Sequence, residues 1–513
     1  MITIDFQNCL ILILLCFFAF LYFCLFFKKP TYSVDLPPSP PSIPIIGHLH
    51  LLLFFLPRKF FFYFLPHESL HTLSSKYGPL LHLRIFNFPI ILVSSASVAY
   101  EIFRAHDVNV SSRFRTNEGS FLLEYFKFMK KLIVTKLFGP YAQEQSRSIR
   151  ADELERFYLN LLDKARKKES VEISKEAKML IGNIICRMGM GRSFTEENSE
   201  AESFRSLITK SINSTKLIFS ALLLFKQLEK LGNLLFKKNI TATFTKFDEF
   251  LEKILVEHKD KDIKDHCPDM MDVLLAVHED ENAEYKITRN HIKMLFMELI
   301  FGGIDTSKNT IQWTMAEINK NPIIVERLRK EIDFVVGKSR LIQETDLPNL
   351  PYLQAVIKEA LRLHPPIPLI PREFQQGCKV GGFFVAEKTK LLINLYAVMR
   401  DPNFWEDPLK FKPERFLTFP RSEQEEERKE QALKYLPFGG GRRACPASKL
   451  AYMVVGTTVG MMVQCFDWRI KGEEVNIDEW LKGFNLAMAH PLKLTPVTRI
   501  STLDLKTSLK LQT

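Results

Sequence analysis

A loop rich in glycine and arginine, which ends in a cysteine and leads into an apolar stretch, constrains this chain more than any other feature. The loop reads Pro-Phe-Gly-Gly-Gly-Arg-Arg-Ala-Cys-Pro over residues 437–446, and residues 447–466 have the pattern of an apolar helix. The glycines allow the backbone to approach another group closely and to turn its N–H groups inward. A cysteine at a helix start, beside arginines, is favoured as a thiolate. The loop therefore predicts that Cys445 is a thiolate ligand of a metal.

Two other interpretations of this loop remain open from the residues alone. A phosphate-binding loop would also use glycines, although the Gly-Lys-Ser or Gly-Lys-Thr ending of that motif is missing. A buried cysteine on a structural helix would need neither the glycines nor the arginines. No pair of the eight cysteines has Cys-x-x-Cys spacing, so neither a zinc ribbon nor a thioredoxin-type site is indicated.

A second motif lies inside an apolar helical pattern over residues 290–319. It reads Phe-Gly-Gly-Ile-Asp-Thr-Ser over residues 301–307. Each glycine inside a helix costs roughly 1 kcal/mol relative to alanine, so a pair of them indicates a need for space. The space is either for a ligand, to which Asp305 and Thr306 could relay protons, or for the close contact of a neighbouring helix.

Two further motifs say little when each is taken alone. Glu359 and Arg362 share one face of a helical pattern over residues 353–364, which two prolines end. On a surface such a pair contributes little, whereas inside an apolar helix it would need a third, buried partner. Residues 411–416, which include Arg415, predict only a turn.

The N-terminal residues have the composition of a membrane anchor. Residues 9–27 are 19 residues without a charge, which at about 1.5 Å per residue nearly span a hydrocarbon core of roughly 30 Å. A cleaved signal peptide is the alternative, but no small-residue cleavage site follows. Lys28 and Lys29 come next, and the positive-inside rule then places the rest of the chain in the cytosol. The sequence thus predicts a single-pass signal-anchor in the endoplasmic reticulum membrane over residues 1–30.

Composition excludes several classes of protein. Hydrophobic residues make up 46% and charged residues 25% of the chain, as in ordinary globular proteins. A disordered chain, a collagen-like chain and a multi-span transporter are therefore excluded. The formal net charge of +11 is modest for 513 residues and is spread along the chain, which argues against nucleic acid as a partner.

Taken together, the order and spacing of the four motifs resemble those of the cytochrome P450 family of haem-thiolate monooxygenases. The resemblance extends to about residue 498 and is most specific over residues 438–445. The anchor and the proline-rich segment after it are similar to those of plant microsomal members. Residues 94–100, 286–291 and 489–491 resemble a crucifer branch that includes thalianol- and arabidiol-modifying enzymes.

The resemblance implies a role for each matching residue. Cys445 would be the axial thiolate of haem b, which favours cleavage of the O–O bond, and Asp305 and Thr306 would deliver protons during this chemistry. The propionates of the haem would be held by charge-assisted bonds from a lysine and two arginines. A buried ion network of Glu359, Arg362 and Arg415 would brace the haem-binding core. The residues expected at the haem are Cys445, Lys130, Arg372, Arg443, Phe438, Gly439 and Phe126.

The resemblance also implies partners and a substrate class. Electrons would come from NADPH through NADPH-cytochrome P450 reductase, and O2 would donate one oxygen atom to a lipophilic substrate such as a triterpenoid. A basic surface near the thiolate would either dock the acidic reductase or be ordinary solvated charge. Its members would be Lys127, Lys131, Lys434, Arg442 and Lys449. The substrate pocket would use residues near 112–124, 208–236, 297–306, 367–371 and 484–488.

The chain departs from the family pattern at four places. Ala447 stands where a glycine is usual, and Phe126 stands where a tryptophan is usual. Residues 115–125 are short for the loop expected to roof the pocket, and residues 54–64 do not resemble the expected helix. Either residues 54–64 dip into the membrane surface, or both segments reflect a gene-model error. Besides the monooxygenase, a reductase-independent rearrangement enzyme and a non-catalytic relic therefore remain alternatives.

The motifs also bear on how the chain divides into domains. By length alone, 513 residues suggest about three domains. The residues expected at the haem are so far apart in sequence that a boundary between them would split the site. We therefore expect a mainly α fold with small β-sheets, including a hairpin of residues 80–86 and 90–93 that Asn87 and Pro89 interrupt. The predicted parts are the anchor at 1–30, a proline-rich strut at 31–48, one monooxygenase domain at 49–498 and a tail at 499–513.

Overall fold

The structure of the chain is a computed structural model. The residues that it describes are 13–20, 35–54, 66–86, 88–111, 128–193, 202–210, 229–260, 268–283, 285–417, 434–470, 475–482 and 485–500. Several predicted features therefore fall outside the described residues. These are most of the anchor and of segments 54–64 and 208–236, all of segment 115–125, and nearly all of the tail.

Helices dominate the described structure, and their ends follow local signals in the sequence. Thr288 caps the helix that begins at Arg289, because its hydroxyl accepts from the N–H of His291 while the His291 side chain accepts from the N–H of Thr288. The helices are α1 (Leu49–Phe54), α2 (Pro66–Tyr77), α3 (Ala96–Ala105), α4 (Pro140–Gln145), α5 (Arg147–Arg166), α6 (Ile173–Met190), α7 (Glu229–Lys259), α8 (Met270–Glu279), α9 (Arg289–Lys320), α10 (Pro322–Val335), α11 (Pro351–Leu363), α12 (Leu395–Val398) and α13 (Ser448–Cys465).

The strands form small sheets at the edge of the helices, as predicted. The largest described sheet has the order β1-β2-β7-β4, in which β2 and β7 are parallel and the other pairs are antiparallel. The strands are β1 (Leu80–Ile85), β2 (Phe88–Val93), β3 (Val171–Glu172), β4 (Leu369–Glu373), β5 (Cys378–Val380), β6 (Phe383–Val385), β7 (Lys390–Asn394), β8 (Phe466–Ile470), β9 (Glu479–Lys482), β10 (Asn485–Met488) and β11 (Lys493–Thr498).

The hairpin expected near residue 87 is confirmed, with one correction. Strand β2 begins at Phe88, so Pro89 lies inside the strand and pairs with Arg84 rather than interrupting it. Proline is tolerated there because the pairing of β2 with β7 begins only at Ile90, and the missing N–H of Pro89 leaves no ladder position empty.

Helix α9 passes through the main core and positions the candidate site. It packs against α6, α11 and α13, and it also contacts strand β10. Ile300, Ile304 and Ile311 are fully buried on it, and Trp313 is nearly so. A second core cluster joins α3 to the largest sheet. The loop that carries Cys445 therefore leads into α13, which packs against α9.

Residues 35–48, the described part of the predicted strut, are attached to the domain. The N–H of His82 in β1 donates to the carbonyl of Pro38, and the N–H of Phe384 in β6 donates to Asp35. Pro37 and Pro40 are buried. The segment thus packs on the sheets, and the proposed boundary at residue 48 stays a prediction.

The predicted anchor is described only at residues 13–20, which are helical and exposed. Within the described ranges, the helices all fall short of the length and apolar character needed to cross a bilayer.

Candidate functional site

The cysteine loop is closed by its own backbone and presents its thiol outward. The N–H of Cys445 donates to the carbonyl of Phe438 at 2.9 Å, and α13 begins three residues later at Ser448. Gly439 and Gly441 have φ angles of +71° and +65°, which side chains disfavour, so both glycines are needed for this turn. Cys445 is exposed, in contrast to Cys186, whose burial raises its pKa to about 12. Such a thiol is available as a ligand in a way that a core cysteine is not.

The end of helix α3 holds the loop in place through an acidic side chain. The backbone N–H of Arg442 donates to both carboxylate oxygens of Asp107, at 3.0 and 3.1 Å. A Cβ atom on Gly441 would lie 1.8 Å from one of these oxygens, so a residue other than glycine would displace Asp107. A Cβ atom on Gly440 would lie 3.0 Å from the ring of Phe103, which is a tight contact as well. Asp107 was not predictable from the sequence, since its only signal is an acidic residue just beyond a helix.

Three cationic side chains from distant parts of the chain gather around the thiol. Burial lowers the pKa of Lys130, and the positive charges of Arg443 and Arg372 lower it further, while Asp107 and Cys445 act in the opposite direction. Arg372 is buried on strand β4. The structure thus brings together residues that the sequence separates by more than 300 positions.

Hydrogen bonds fix two of these cations against the loop. The ammonium group of Lys130 donates to the carbonyl of Arg442. The Nε of Arg443 donates to the carbonyl of Ser111 at 2.7 Å. The two bonds connect the loop to Lys130 and to Ser111, which lie on either side of residues 112–127. Residues 112–127, which include Phe126 and Lys127, lie outside the described residues.

This set of groups fits a haem with a cysteine ligand. A haem carries two propionate carboxylates, and cations that repel one another gain from binding anions between them. Burial first, and then repulsion from Arg443 and Arg372, lowers the pKa of Lys130. The thiol of Cys445 lies close enough to affect the pKa of Lys130. A ligand for the iron and cations for the propionates are therefore present at one place.

On helix α9, the two adjacent glycines serve different purposes. A Cβ atom on Gly303 would lie 2.5 Å from the Cδ1 atom of Ile185 in α6, so this glycine permits helix contact. A Cβ atom on Gly302 would meet no described atom within 4 Å, so this glycine faces open space. Helix contact therefore accounts for Gly303, whereas space for a ligand at Gly302 stays a prediction. Thr306 lies one turn beyond Gly302 and donates its hydroxyl to that carbonyl at 2.6 Å.

Asp305 is buried, but it pairs with a side chain that reaches the surface. Its carboxylate lies 2.8 Å from the ammonium group of Lys308, which is one-fifth exposed. Thr310 and Thr314 continue the hydroxyl pattern of Thr306, since each donates to the carbonyl four residues before it. A half-buried hydroxyl next to a buried carboxylate is an arrangement that can move protons along α9.

Glu359, Arg362 and Arg415 form one buried ion cluster. Both oxygens of Glu359 accept from the guanidinium of Arg362, at 2.7 and 2.9 Å, and both side chains are 0% exposed. Arg415 donates to the same carboxylate at 3.0 Å, and so does the N–H of Lys412 at 2.8 Å. The pair thus has the third partner that burial requires. That this cluster braces a haem-binding core stays a prediction.

Ala447, one of the departures, is the residue directly before helix α13, and its backbone does not require glycine. Its φ of −96° is open to any residue, and its carbonyl accepts from the N–H of Ala451 at 2.9 Å. Two further polar residues near the site were not found from the sequence. Asn309 binds the backbone of strand β10, and Glu479 lies among histidines and Arg400.

Known proteins match this chain over nearly its whole length. The family model "Cytochrome P450" matches residues 37–494. Cytochrome P450 705A22 of Arabidopsis thaliana is 66% identical, over 97% of this chain and 98% of its own length. Cytochrome P450 705A5 of the same plant is 59% identical, over 97% and 99%. The 3,9-dihydroxypterocarpan 6A-monooxygenase of Glycine max is 35% identical, over 95% and 98%.

A solved structure shares the architecture at low identity. The structure titled "Zebra fish cytochrome P450 another structure with Progesterone" aligns with a TM-score of 0.70 and 24% identity, over 84% of this chain and 99% of that one. At that identity the match establishes the fold alone.

Proposed function

This chain belongs to the cytochrome P450 family, and we propose that it is a monooxygenase that inserts one oxygen atom from O2 into a triterpenoid or similar lipophilic plant metabolite. Its relatives make it a plant member of the 705A branch, and family and fold indicate a haem with cysteine thiolate ligation. The observation that carries the proposal is the meeting of Lys130, Arg372, Arg443 and Cys445.

The loop residues hold the cofactor in this proposal. The haem, when bound, supplies the activation of O2. Cys445 provides the thiolate, and its position is set by the bond to Phe438 and by the turn at Gly439 and Gly441. Lys130, Arg372 and Arg443 bind the propionates. Asp107 keeps the loop in register from the other side.

In this proposal, residues of helix α9 deliver protons on the substrate side of the haem. Thr306 offers a hydroxyl beside the open space at Gly302, and its bond to the Gly302 carbonyl orients that hydroxyl. Asp305 holds a carboxylate away from bulk water and exchanges protons with solvent past Lys308. An acid and a hydroxyl at neighbouring positions can therefore deliver protons where oxygen is activated, without opening the pocket to water.

In this proposal the substrate is apolar. Leu369, Ile370 and Leu486 are buried in the described parts of the predicted pocket, and Phe301 lies next to Gly302. By its name, the soybean relative oxidises a fused-ring plant compound, 3,9-dihydroxypterocarpan. The triterpenoid class rests on the resemblance to the crucifer branch.

We place the protein on the endoplasmic reticulum membrane by its N-terminal residues, with NADPH-cytochrome P450 reductase as electron donor. Support for docking is a basic surface beside the thiolate, on which Arg442 stays exposed although its backbone N–H is bound. The basic residues of this surface that the structure describes are Lys131, Lys434, Arg442 and Lys449.

Co-expression of the full chain with the reductase and a set of triterpene synthases tests the proposal. We expect a reduced protein with the carbon monoxide spectrum of a haem-thiolate, and NADPH-dependent products that gain one labelled atom from heavy-isotope O2. Cys445→Ser should abolish both results. The matched control Cys378→Ser, at a half-buried thiol on β5, should change neither.

Two outcomes would replace the proposal. Product formation without NADPH or reductase would establish a rearrangement enzyme. Stable expression of a protein that takes up no haem would establish the non-catalytic alternative.

A further inference from the structure

The hairpin of strands β9 and β10 depends on partners outside itself. It contains only two strands, and an isolated pair of that kind is marginally stable at best. Leu486 of β10 stands opposite Leu481 of β9, yet both of its main-chain polar groups bind elsewhere. Its N–H donates to the carbonyl of Pro366 at 2.8 Å, and its carbonyl accepts from the side-chain amide of Asn309 at 3.0 Å. The outer edge of the hairpin is thus pinned at one residue.

The amide that pins it comes from helix α9, directly after the proton-handling residues. Asn309 lies one turn beyond Asp305, which places the two about 6 Å apart along the helix axis. Asn309 is 4% exposed, and Leu486 is 0% exposed. Residues 485–488 belong to one predicted pocket wall, and Pro366 directly precedes another at 367–371, so these bonds connect α9 to the first wall and to the residue that leads into the second.

Asparagine at this position destabilises the helix unless its side-chain hydrogen bond compensates. It is a poor helix former, and its side chain here neither caps the helix nor reaches solvent. An apolar residue of equal size would leave the buried carbonyl of Leu486 without a donor, and unsatisfied buried groups are strongly unfavourable. The bond therefore fixes the distance between α9 and the hairpin more tightly than apolar contact would.

We propose that Asn309 is a positioning residue that sets the height of the β9–β10 wall above Asp305 and Thr306, and so selects the substrate carbon presented there. The role in selecting a substrate carbon rests on the proposed function. The effect of Asn309 on the shape of the haem pocket can be tested without a substrate.

A second connection keeps the hairpin attached when Asn309 is changed. Glu479, at the start of β9, accepts a hydrogen bond from His364 at 3.1 Å. His364 also binds Glu317 on α9 at 2.7 Å and stacks on Trp313. Loss of the Asn309 bond should therefore shift the wall and leave the fold intact.

Asn309→Leu, which is similar in size but has no donor, tests the inference in the full-length holoprotein. Spectral titration would compare imidazole, which needs only the space next to the iron, with ketoconazole, which must also fit the pocket walls. We expect the variant to bind ketoconazole about tenfold more weakly, the equivalent of one lost buried hydrogen bond, and imidazole within about twofold of wild type. Where triterpenoid products form, their ratio should change as well.

The matched control is Asn319→Leu on the same helix. Its amide donates only within the helix, to the carbonyl of Met315 at 2.7 Å, so we expect no selective effect on ketoconazole. Equal changes for both azoles, no change, or the same change in the control would overturn the inference. If Asn309→Leu loads no haem, Asn309→Ser, which is too short to reach Leu486, takes its place with the same expectations. Binding of the azoles does not require turnover, so this result can be interpreted even if the proposed monooxygenase activity is not found.

Discussion

Two buried clusters, each centred on one glutamate, hold the chain together in different ways. Glu359 binds two guanidinium groups, of Arg362 and Arg415, and one backbone N–H. Its partners carry charges that do not titrate in the physiological range. They also come from residues 359–415, so the cluster joins α11 to the segment that follows the largest sheet.

Glu479 has partners of another kind. His364 donates to one of its oxygens, and the guanidinium of Arg400 lies 3.6 Å from the same oxygen. The Nε2 of His67 lies 3.6 Å from the other oxygen, beyond hydrogen-bond distance but within reach of its charge. Glu68 and Tyr396 also face the group. These residues come from α2, α11, α12 and β9, so this cluster joins the two ends of the domain.

The difference teaches that one cluster is a local brace of guanidinium groups, whereas the other joins distant parts of the chain around a carboxyl group whose pKa is lowered to about 2. The stability that the second cluster provides therefore depends on pH in the range in which Glu479 changes its charge.

Glu359→Gln should cause the largest loss of stability. It leaves the buried guanidinium of Arg362 without its counter-charge, and removing one partner of a buried ion pair typically costs about 3–5 kcal/mol. We expect a large fall in the urea midpoint and in the haem retained on heating. The control is Glu326→Gln, in an exposed pair with Lys330, and it should leave both unchanged. A small effect of Glu359→Gln would remove the distinction between a brace and a surface pair.

Glu479→Gln should cost somewhat less and should depend on pH. Burial raises the pKa of Glu479, but bonding to His364, the close approach of His67 and the nearby charges of His364 and Arg400 outweigh this and lower it from 4.5 to about 2. A shift of that size corresponds to about 3 kcal/mol. Because the folded pKa lies below the unfolded one, this stabilisation is complete above about pH 4.5 and is lost as the pH falls towards 2.

Urea unfolding at a series of pH values measures this second effect. Above pH 5 the gap between wild type and Glu479→Gln should be constant at about 3 kcal/mol, and below pH 4.5 it should narrow. Glu326→Gln should show no such gap at any pH. A gap that stays constant down to the lowest pH reached would mean that Glu479 is not the titrating group.

The same contrast explains which parts of the molecule the sequence predicts well. Helix α9 was predicted at residues 290–319 and lies at Arg289–Lys320, because apolar periodicity and end signals are local. Glu359 and Arg362 were recognisable because three residues of spacing place them on one helix face. The cysteine loop was recognisable because its glycines and cysteine are consecutive.

Residues whose partners are far away in the chain were not predictable in this way. Glu479 meets His67 across more than 400 positions, and neither lies in a pattern that names the other. Asp107 and Asn309 act on backbone groups of Arg442 and Leu486, which carry no side-chain signal at all. Long-range contacts to the main chain depend on the fold, so they appear only once it is known.

His364 and His67 provide the finest test of the contrast, because they flank the same glutamate with different bonding. Both ring nitrogens of His364 are bound, to Glu317 at 2.7 Å and to Glu479 at 3.1 Å. Neither ring nitrogen of His67 has a hydrogen-bond partner among the residues described, although the ring is fully buried against Tyr396. Replacing a buried group that makes no hydrogen bond by an apolar one of similar shape is nearly neutral.

We therefore expect His364→Phe to lower the free energy of unfolding by about 2 kcal/mol, although Phe keeps the stacking on Trp313. His67→Phe keeps the edge contact with Tyr396 and should stay within about 1 kcal/mol of wild type. Urea unfolding at neutral pH measures both. Equal losses would mean that His67 binds Glu479 as strongly as His364 does. A larger loss for His67→Phe would place the main support of Glu479 on α2 rather than on His364.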